Sequence, residues 1–343
     1  MSRASRARRL AAAAAYGGGG LGAAGAAGFA LLAAQARLAR RWIGAPFGDG
    51  PRAEGRYGHG PGEQWRMAVL GDSTAVGLGV DHPDQTPGAT IATGLAALTG
   101  RPVQLRVVAV VGAESADLAA QVDTLLDTDA PPHVAVIMVG ANDVTHRVRP
   151  ADAVAHLADA VRRLRGAGCQ VVVGTCPDLG TIEPIAQPLR WVARRWSRQL
   201  AAAQTVAVVE AGGRTVSLGD LLGPQFSAQP AEMFSADRFH PSPAGYARAA
   251  AVLLPSVADA VGAWPEGAAP ARPDVRAGEG LDDVAHAAAR AAAASGTEVV
   301  GASVDGRSRG PRGRWAVLRR LRLPQARPRV VLDLDDEAVR AGS

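Results

Sequence analysis

The sequence predicts an α/β protein built in three layers, with helices on both faces of a mainly parallel sheet. Three observations carry that prediction. Strand-like runs of four to nine residues alternate with helix-length segments from Trp65 to Val261, as repeated βαβ units require. The first two runs end on glycines, Gly71 and Gly112, where a chain leaves a strand for a loop. Finally, 343 residues, 48% hydrophobic and 20% charged, are enough for one or two domains with a sizeable core.

The elements follow in order. Residues 66–70 form a short apolar run and read as the first strand. Residues 87–98 have helical composition, and 103–111 form a β-branched run. Residues 116–126 are amphipathic, 133–139 strand-like, 151–165 helical and 170–173 strand-like again. Residues 190–203 read as a helix, 206–209 as a short strand and 243–261 as the last helix. Ser242 is the cap of that helix and Pro243 its first helical position.

Composition removes several chemistries. All 37 basic residues are arginine, so no lysine is present to form a Schiff base, a Ser-Lys dyad or a phosphate-binding loop. Seven scattered histidines and two cysteines contain neither HExxH nor CxxC, so no metal site and no cofactor is expected. Cys169 and Cys176 flank an extended run and lie about 20 Å apart at about 3.3 Å per residue. A disulfide needs about 4.4–6.8 Å, so they do not pair. Cys176 reads as a small packed residue.

The net charge of +5 belongs to the ends: residues 1–61 carry +7, 62–262 carry −4 and 263–343 carry +2. A mildly acidic middle argues against a nucleic-acid-binding core. These divisions give three regions: a basic N-terminus with its linker, a central domain over 62–262, and a Pro/Gly/Ala/Arg-rich extension over 263–343. The extension begins at Trp264, has an Ala-rich candidate helix at 281–294, and carries nine arginines and no acid between Arg307 and Arg329. A solvated, partly disordered tail is the preferred reading, over contact with anionic lipid or nucleic acid.

Residues 10–36 hold no charge over 27 positions, more than the about 20 needed to cross a bilayer. They contain thirteen Ala and seven Gly but only four Leu and one Phe. An uncleaved membrane anchor is preferred. A signal peptide cut after residues 34–36 and a low-complexity soluble leader remain open. Four arginines precede the run and three follow it, which favours an extracytoplasmic central domain. Secretion after cleavage, or a cytoplasmic location, follows from the other two readings.

In a parallel sheet the chemistry sits at the carboxyl ends of the strands. There stand Gly71-Asp72-Ser73-Thr74, then Gly112, then Gly140-Ala141-Asn142-Asp143, and before the last helix Asp237-Arg238-Phe239-His240-Pro241. Singly, each has a simpler use as a helix cap, a turn glycine or an Asx-turn. Their convergence on one edge is not explained that way.

These four blocks, in this order, resemble those of the SGNH/GDSL hydrolase superfamily over about residues 65–262. The third and fourth blocks match fully. The first reads GDST where the family name has GDSL, and the second rests on one glycine. The resemblance implies the SGNH fold with a flavodoxin-like sheet, and a serine esterase or lipase. It makes Ser73 the nucleophile, His240 the general base and acid, and Asp237 the group that orients the imidazole. The backbone N–H groups of Ser73 and Gly112 and the amide of Asn142 would hold the oxyanion. Asp72 and Asp143 would hold the loops.

The expected partner is a small-molecule, lipid or glycan ester. Polysaccharide O-deacetylation and acyl transfer use the same centre, and a non-catalytic membrane-anchored binding module is the reading from another class. Neither acyl length, alcohol nor oligomeric state is legible. Gln225, Phe226 and Met233 in the segment 212–235 are candidates to line the site, with Arg190, Trp191 and Trp196 on the preceding helix as further ones.

Overall fold

The computed structural model describes residues 26–39, 41–43, 48–128 and 130–263, with the backbone of 302–304 and 307–309. The first part of the candidate anchor (10–25), the expected helix at 281–294 and the rest of the tail lie outside those residues. Residues 26–39 and 41–43 are helical. Among the described residues, no helix is long and apolar enough to cross a membrane.

Six strands form the main sheet: β1 (Gly55–Tyr57), β2 (Trp65–Gly71), β3 (Val103–Val107), β4 (Val134–Met138), β5 (Gln170–Gly174) and β6 (Arg214–Val216). Their spatial order is β1-β3-β2-β4-β5-β6; β1 is antiparallel to β3 and every other pairing is parallel. Without the antiparallel edge, the five parallel strands stand second, first, third, fourth, fifth in chain order, as in flavodoxin-like sheets. The order reverses around β2, so a crevice opens beyond its carboxyl end. Apart from this sheet, β7 (Ala302–Val304) and β8 (Arg307–Arg309) form an antiparallel ribbon.

The helices are α1 (Ser73–Val76), α2 (Pro87–Thr99), α3 (Leu118–Leu126), α4 (Ala141–Thr145), α5 (Pro150–Gly166) and α6 (Leu189–Glu210). They are followed by α7 (Leu218–Leu221), α8 (Gly223–Ala228), α9 (Pro230–Met233) and α10 (Pro243–Ala260). Alternation along each strand sends neighbouring residues to opposite faces. Met67, Val69, Val134, Val136 and Val172 pack with α2 and α10; Ala68, Leu70, Ala135, Ile137 and Val171 pack with α3 and α5. Both faces are therefore covered.

Three elements differ from the sequence reading. Residues 206–209 are not a strand but the last turns of α6, and the strand is β6. The buried stripe Ala193, Ser197, Leu200, Gln204 and Val208 keeps helical spacing straight through the valines. Burying a side chain such as Leu200 or Val208 is worth about 1.5–3 kcal/mol. The β preference of a valine is worth about 1 kcal/mol or less, so the stripe decides.

The run at 103–111 leaves strand geometry after Val107. It still bonds β2, through Val108 N to Val69 O and Val110 N to Gly71 O, and then turns, with Ala113 N on Val110 O. Third, the sheet begins upstream of residue 62. The three-residue β1 is too short for its period to show, and it lies in what reads as linker.

Candidate active site

The serine loop starts from the end of the central strand. Gly71 has φ +131°, and a Cβ there would lie 1.8 Å from Met138 O, so only glycine fits against β4. Gln121 on α3 clasps this residue from the side: its Oε1 accepts from Gly71 N at 2.8 Å and its Nε2 donates to Gly71 O at 2.9 Å. Asp72 N then donates to Met138 O at 3.1 Å. The Asp72 carboxylate caps α1 by accepting from Thr74 N at 2.9 Å. Ser73 is the first residue of α1, and its hydroxyl faces the histidine loop.

That loop is held by one carboxylate. Asp237 Oδ1 accepts from Ser235 Oγ at 2.7 Å and from the N–H groups of Phe239 and His240 at 2.9 Å each. Asp237 Oδ2 lies 2.6 Å from His240 Nδ1, and His240 Nε2 lies 3.0 Å from Ser73 Oγ. Phe239 meets the imidazole edge-on at 4.9 Å between centroids. Arg238, between Asp237 and Phe239, takes φ +58°, which a non-glycine residue seldom adopts. The loop closes through Ser235 N on His240 O and Ser242 N on Met233 O.

The two carboxylates near His240 are tuned in opposite directions. Burial pushes Asp72 up to about 6, against the opposing hydrogen bonds from Thr74 and the nearby imidazole. For Asp237 burial also works upward. The bonds from the His240 ring, Phe239, Ser235 and the His240 backbone outweigh it and hold the carboxyl at about 2.

The turn at Gly112 is fixed to the start of α4. Asn142 Nδ2 donates to Ala113 O at 2.9 Å. Asp143, buried, accepts from Ser115 Oγ at 2.9 Å and from Ser115 N at 3.1 Å. Burial raises the Asp143 carboxyl, with the Ser115 bonds working against it. Gly112 has φ +84°, and no atom lies within 4 Å of where its Cβ would be; the conformation is what demands glycine. Ser73, Gly112, Asn142, Asp237 and His240 thus converge at the crevice beside β2, with Asp72 and Asp143 tying the loops beneath.

Sequence reasoning missed the two glutamines. Gln204 on α6 instead bridges the ends of β4 and β5, with Cys176 N donating to its Oε1 at 2.7 Å and its Nε2 donating to Val139 O at 3.0 Å. The available signal was a glutamine within the apolar stripe of a helix. Cys176 and Cys169 are both buried free thiols, and burial pushes each upward, Cys169 to about 12.

Beside His240 runs a groove of about 680 Å³, open mouth included, walled by Ile182, Leu218, Leu222, Phe226, Phe234 and Phe239. Of the sequence candidates for lining, Phe226 is in it. Met233 is instead buried in the core, and Gln225 does not line the groove. Trp191 and Trp196 are exposed on α6, and Arg190 turns to the carbonyls of Ile185 and Glu183. Chemically, the line from hydroxyl to imidazole to carboxylate can move a proton off Ser73 while a permanent negative charge stabilises the imidazolium.

A sequence model of the GDSL-like lipase/acylhydrolase family matches residues 69–248, which include all of these groups. The chain belongs to that family. A GDSL-like esterase of Mycobacterium tuberculosis is 48% identical over 241 residues, 67% of this chain and 77% of its own length. Among solved structures, a lipase/acylhydrolase from Enterococcus faecalis is 18% identical with a TM-score of 0.44, covering 56% of this chain and 94% of its own. A catalytic mutant of an acetylxylan esterase from Geobacillus stearothermophilus is 19% identical at the same TM-score, covering 60% and 97%. As a GDSL-like acylhydrolase, the protein is an ester-bond hydrolase.

Proposed function

We propose that this hydrolase cleaves carboxylic esters with an apolar acyl group through an acyl-enzyme on Ser73. The reading rests on one observation, the unbroken hydrogen-bonded line Ser73–His240–Asp237. With Nδ1–H given to Asp237, His240 Nε2 is the acceptor that takes the Ser73 proton as Oγ attacks the carbonyl carbon. The oxyanion that forms is met by the N–H groups of Ser73 and Gly112. Asn142 adds the amide hydrogen not already given to Ala113. Such donors are worth on the order of 3 kcal/mol each in the transition state. The imidazolium then passes its proton to the departing alcohol oxygen. Water, deprotonated by His240, attacks the acyl carbon and returns Ser73 to its hydroxyl form.

The groove favours one class among the substrates that this centre could serve. Its walls are mainly aliphatic and aromatic, and it starts at His240. An acyl chain gains about 0.8 kcal/mol per methylene buried there, whereas an acetylated glycan would leave it empty. The test is hydrolysis of p-nitrophenyl acetate, butyrate and longer esters by the full chain, with Ser73→Ala beside it. Turnover should rise beyond acetate and fall about 10⁴-fold or more in the variant. A fluorophosphonate should label the parent alone. Ser73-independent turnover would overturn the mechanism, and a preference for acetate would overturn the acyl assignment.

A further inference from the structure

We infer that the helical residues 26–39 and 41–43 and the first turns of α6 form one face that rests on an anionic lipid surface, beside the mouth of the ester groove. Two contacts join the pieces. Gln35 donates from Nε2 to Gln187 O at 2.5 Å and accepts from Leu189 N at 3.1 Å, so it clasps the chain where α6 begins. At the other end the Arg147 guanidinium lies 5.8 Å from the Phe29 ring, just past α4. The helix therefore lies across the loops that follow β4 and β5, on the same sheet edge as Ser73. Leu179, Thr181 and Ile182, a few positions before its docking point, line one side of the groove.

The face is apolar where a soluble surface should not be. Leu31, Leu38 and Trp42, spaced seven and four apart, make one stripe beside Gln35. Trp42 is 63% exposed, and Trp191, half a turn beyond Leu189, is 58% exposed. Arg195 stands over the Trp191 ring at 5.8 Å. Arginine and tryptophan together suit the headgroup layer, where an amphipathic ring and a guanidinium both find partners.

Charge selects the occupant. Residues 26–43 carry Arg37, Arg40 and Arg41, residues 187–209 carry Arg190, Arg194, Arg195 and Arg198, and neither stretch contains an acid. Arg194 and Arg198 pair with Asp178 and Arg190 bonds backbone carbonyls, so the exposed Arg37, Arg41 and Arg195 are the cations this face offers. A second copy would press arginines on arginines, whereas an anionic headgroup layer complements them. In the sequence, the uncharged run at 10–25 immediately precedes residue 26. Such a helix lies in the interface plane rather than crossing it.

The test is flotation of the full chain with vesicles of phosphatidylcholine alone and of equal parts phosphatidylcholine and phosphatidylglycerol. The protein should bind the mixed vesicles and release as salt rises. Trp42→Ser with Trp191→Ser should weaken binding about tenfold or more while leaving hydrolysis of a soluble ester unchanged. Arg41→Gln with Arg195→Gln should reduce the preference for the anionic vesicles. Equal binding by the tryptophan variant would overturn the inference, because residues outside this face would then hold the membrane. So would failure to bind either vesicle, or a dimer in light scattering that the tryptophan variant dissolves. Binding is read without turnover, so none of these outcomes bears on the ester chemistry.

Discussion

The serine loop and the histidine loop reach the same crevice by different means. Ser73 hangs from the middle of the sheet, where Gly71 is wedged against Met138 O and clasped by Gln121, so its position is set by backbone bonds to a central strand. His240 has no strand behind it. Its loop, between α9 and α10, is shaped by Asp237, which gathers four hydrogen bonds from residues within three positions of itself. The same difference separates the two acids. Asp72 is deeply buried with Thr74 as its donor and sits at about 6, whereas Asp237 has four donors and sits at about 2. Burial sets the direction only where hydrogen bonds do not outnumber it.

The comparison breaks first at Asp237. Asp237→Asn should keep the loop partly folded but lower kcat about 10⁴-fold, since an amide can hold the wrong imidazole tautomer and cannot balance its charge. Steady-state turnover of a p-nitrophenyl ester measures this; a loss under tenfold would mean that the carboxylate only shapes the loop. Gln121→Leu should come next, because it leaves Gly71 N–H buried without its acceptor. A loss of about 1–3 kcal/mol in unfolding free energy is expected, together with reduced kcat. Unchanged stability would mean that the strand end does not need the clasp.

The acids can also be separated by pH. Asp72 has its folded pKa raised, so the folded state binds its proton more tightly, and stability falls as pH rises from 3.8 towards about 6. Asp72→Asn keeps a capping oxygen and should remove that fall, gaining on the parent above about 6. Asp237 has the opposite sign: its stabilisation is present above 3.8 and is lost as pH falls towards about 2. Thermal melts across the two windows check both slopes, and parallel curves for parent and Asp72→Asn would sink the first. The smallest effect is expected at Arg238. Arg238→Gly relieves its positive φ by about 1 kcal/mol but removes the exposed pair with Glu183, so the melting temperature should rise slightly with turnover intact. A large fall would show that the pair to Glu183 holds the loop.

Much of this architecture was legible beforehand. The alternation of strands and helices and the four blocks located Ser73, Gly112, Asn142, Asp237 and His240, which meet at the crevice. Local pattern failed where the deciding contact was distant. The strand expected at 206–209 is helix because α6 buries a long stripe, and that stripe has value only once the sheet is there to receive it. Gln121 could not be singled out because Gly71, its partner, is 50 positions away. The groove was legible in part: Leu218, Leu222, Phe226 and Phe234 come from the segment 212–235, but Ile182 and Phe239 lie outside it, and Met233, a plausible lining residue by sequence, turns inward.

What the sequence determined by itself was the fold class, the family and the identity of the groups at the crevice, because those are carried by periodicity and by residue types at short spacing. Only the tertiary structure decided how each group is held, which apolar residues face the groove and which face the core, and where the helical residues 26–39 lie. Those depend on which backbone N–H and C=O groups are left without partners when strands and helices pack. That bookkeeping closes only in three dimensions.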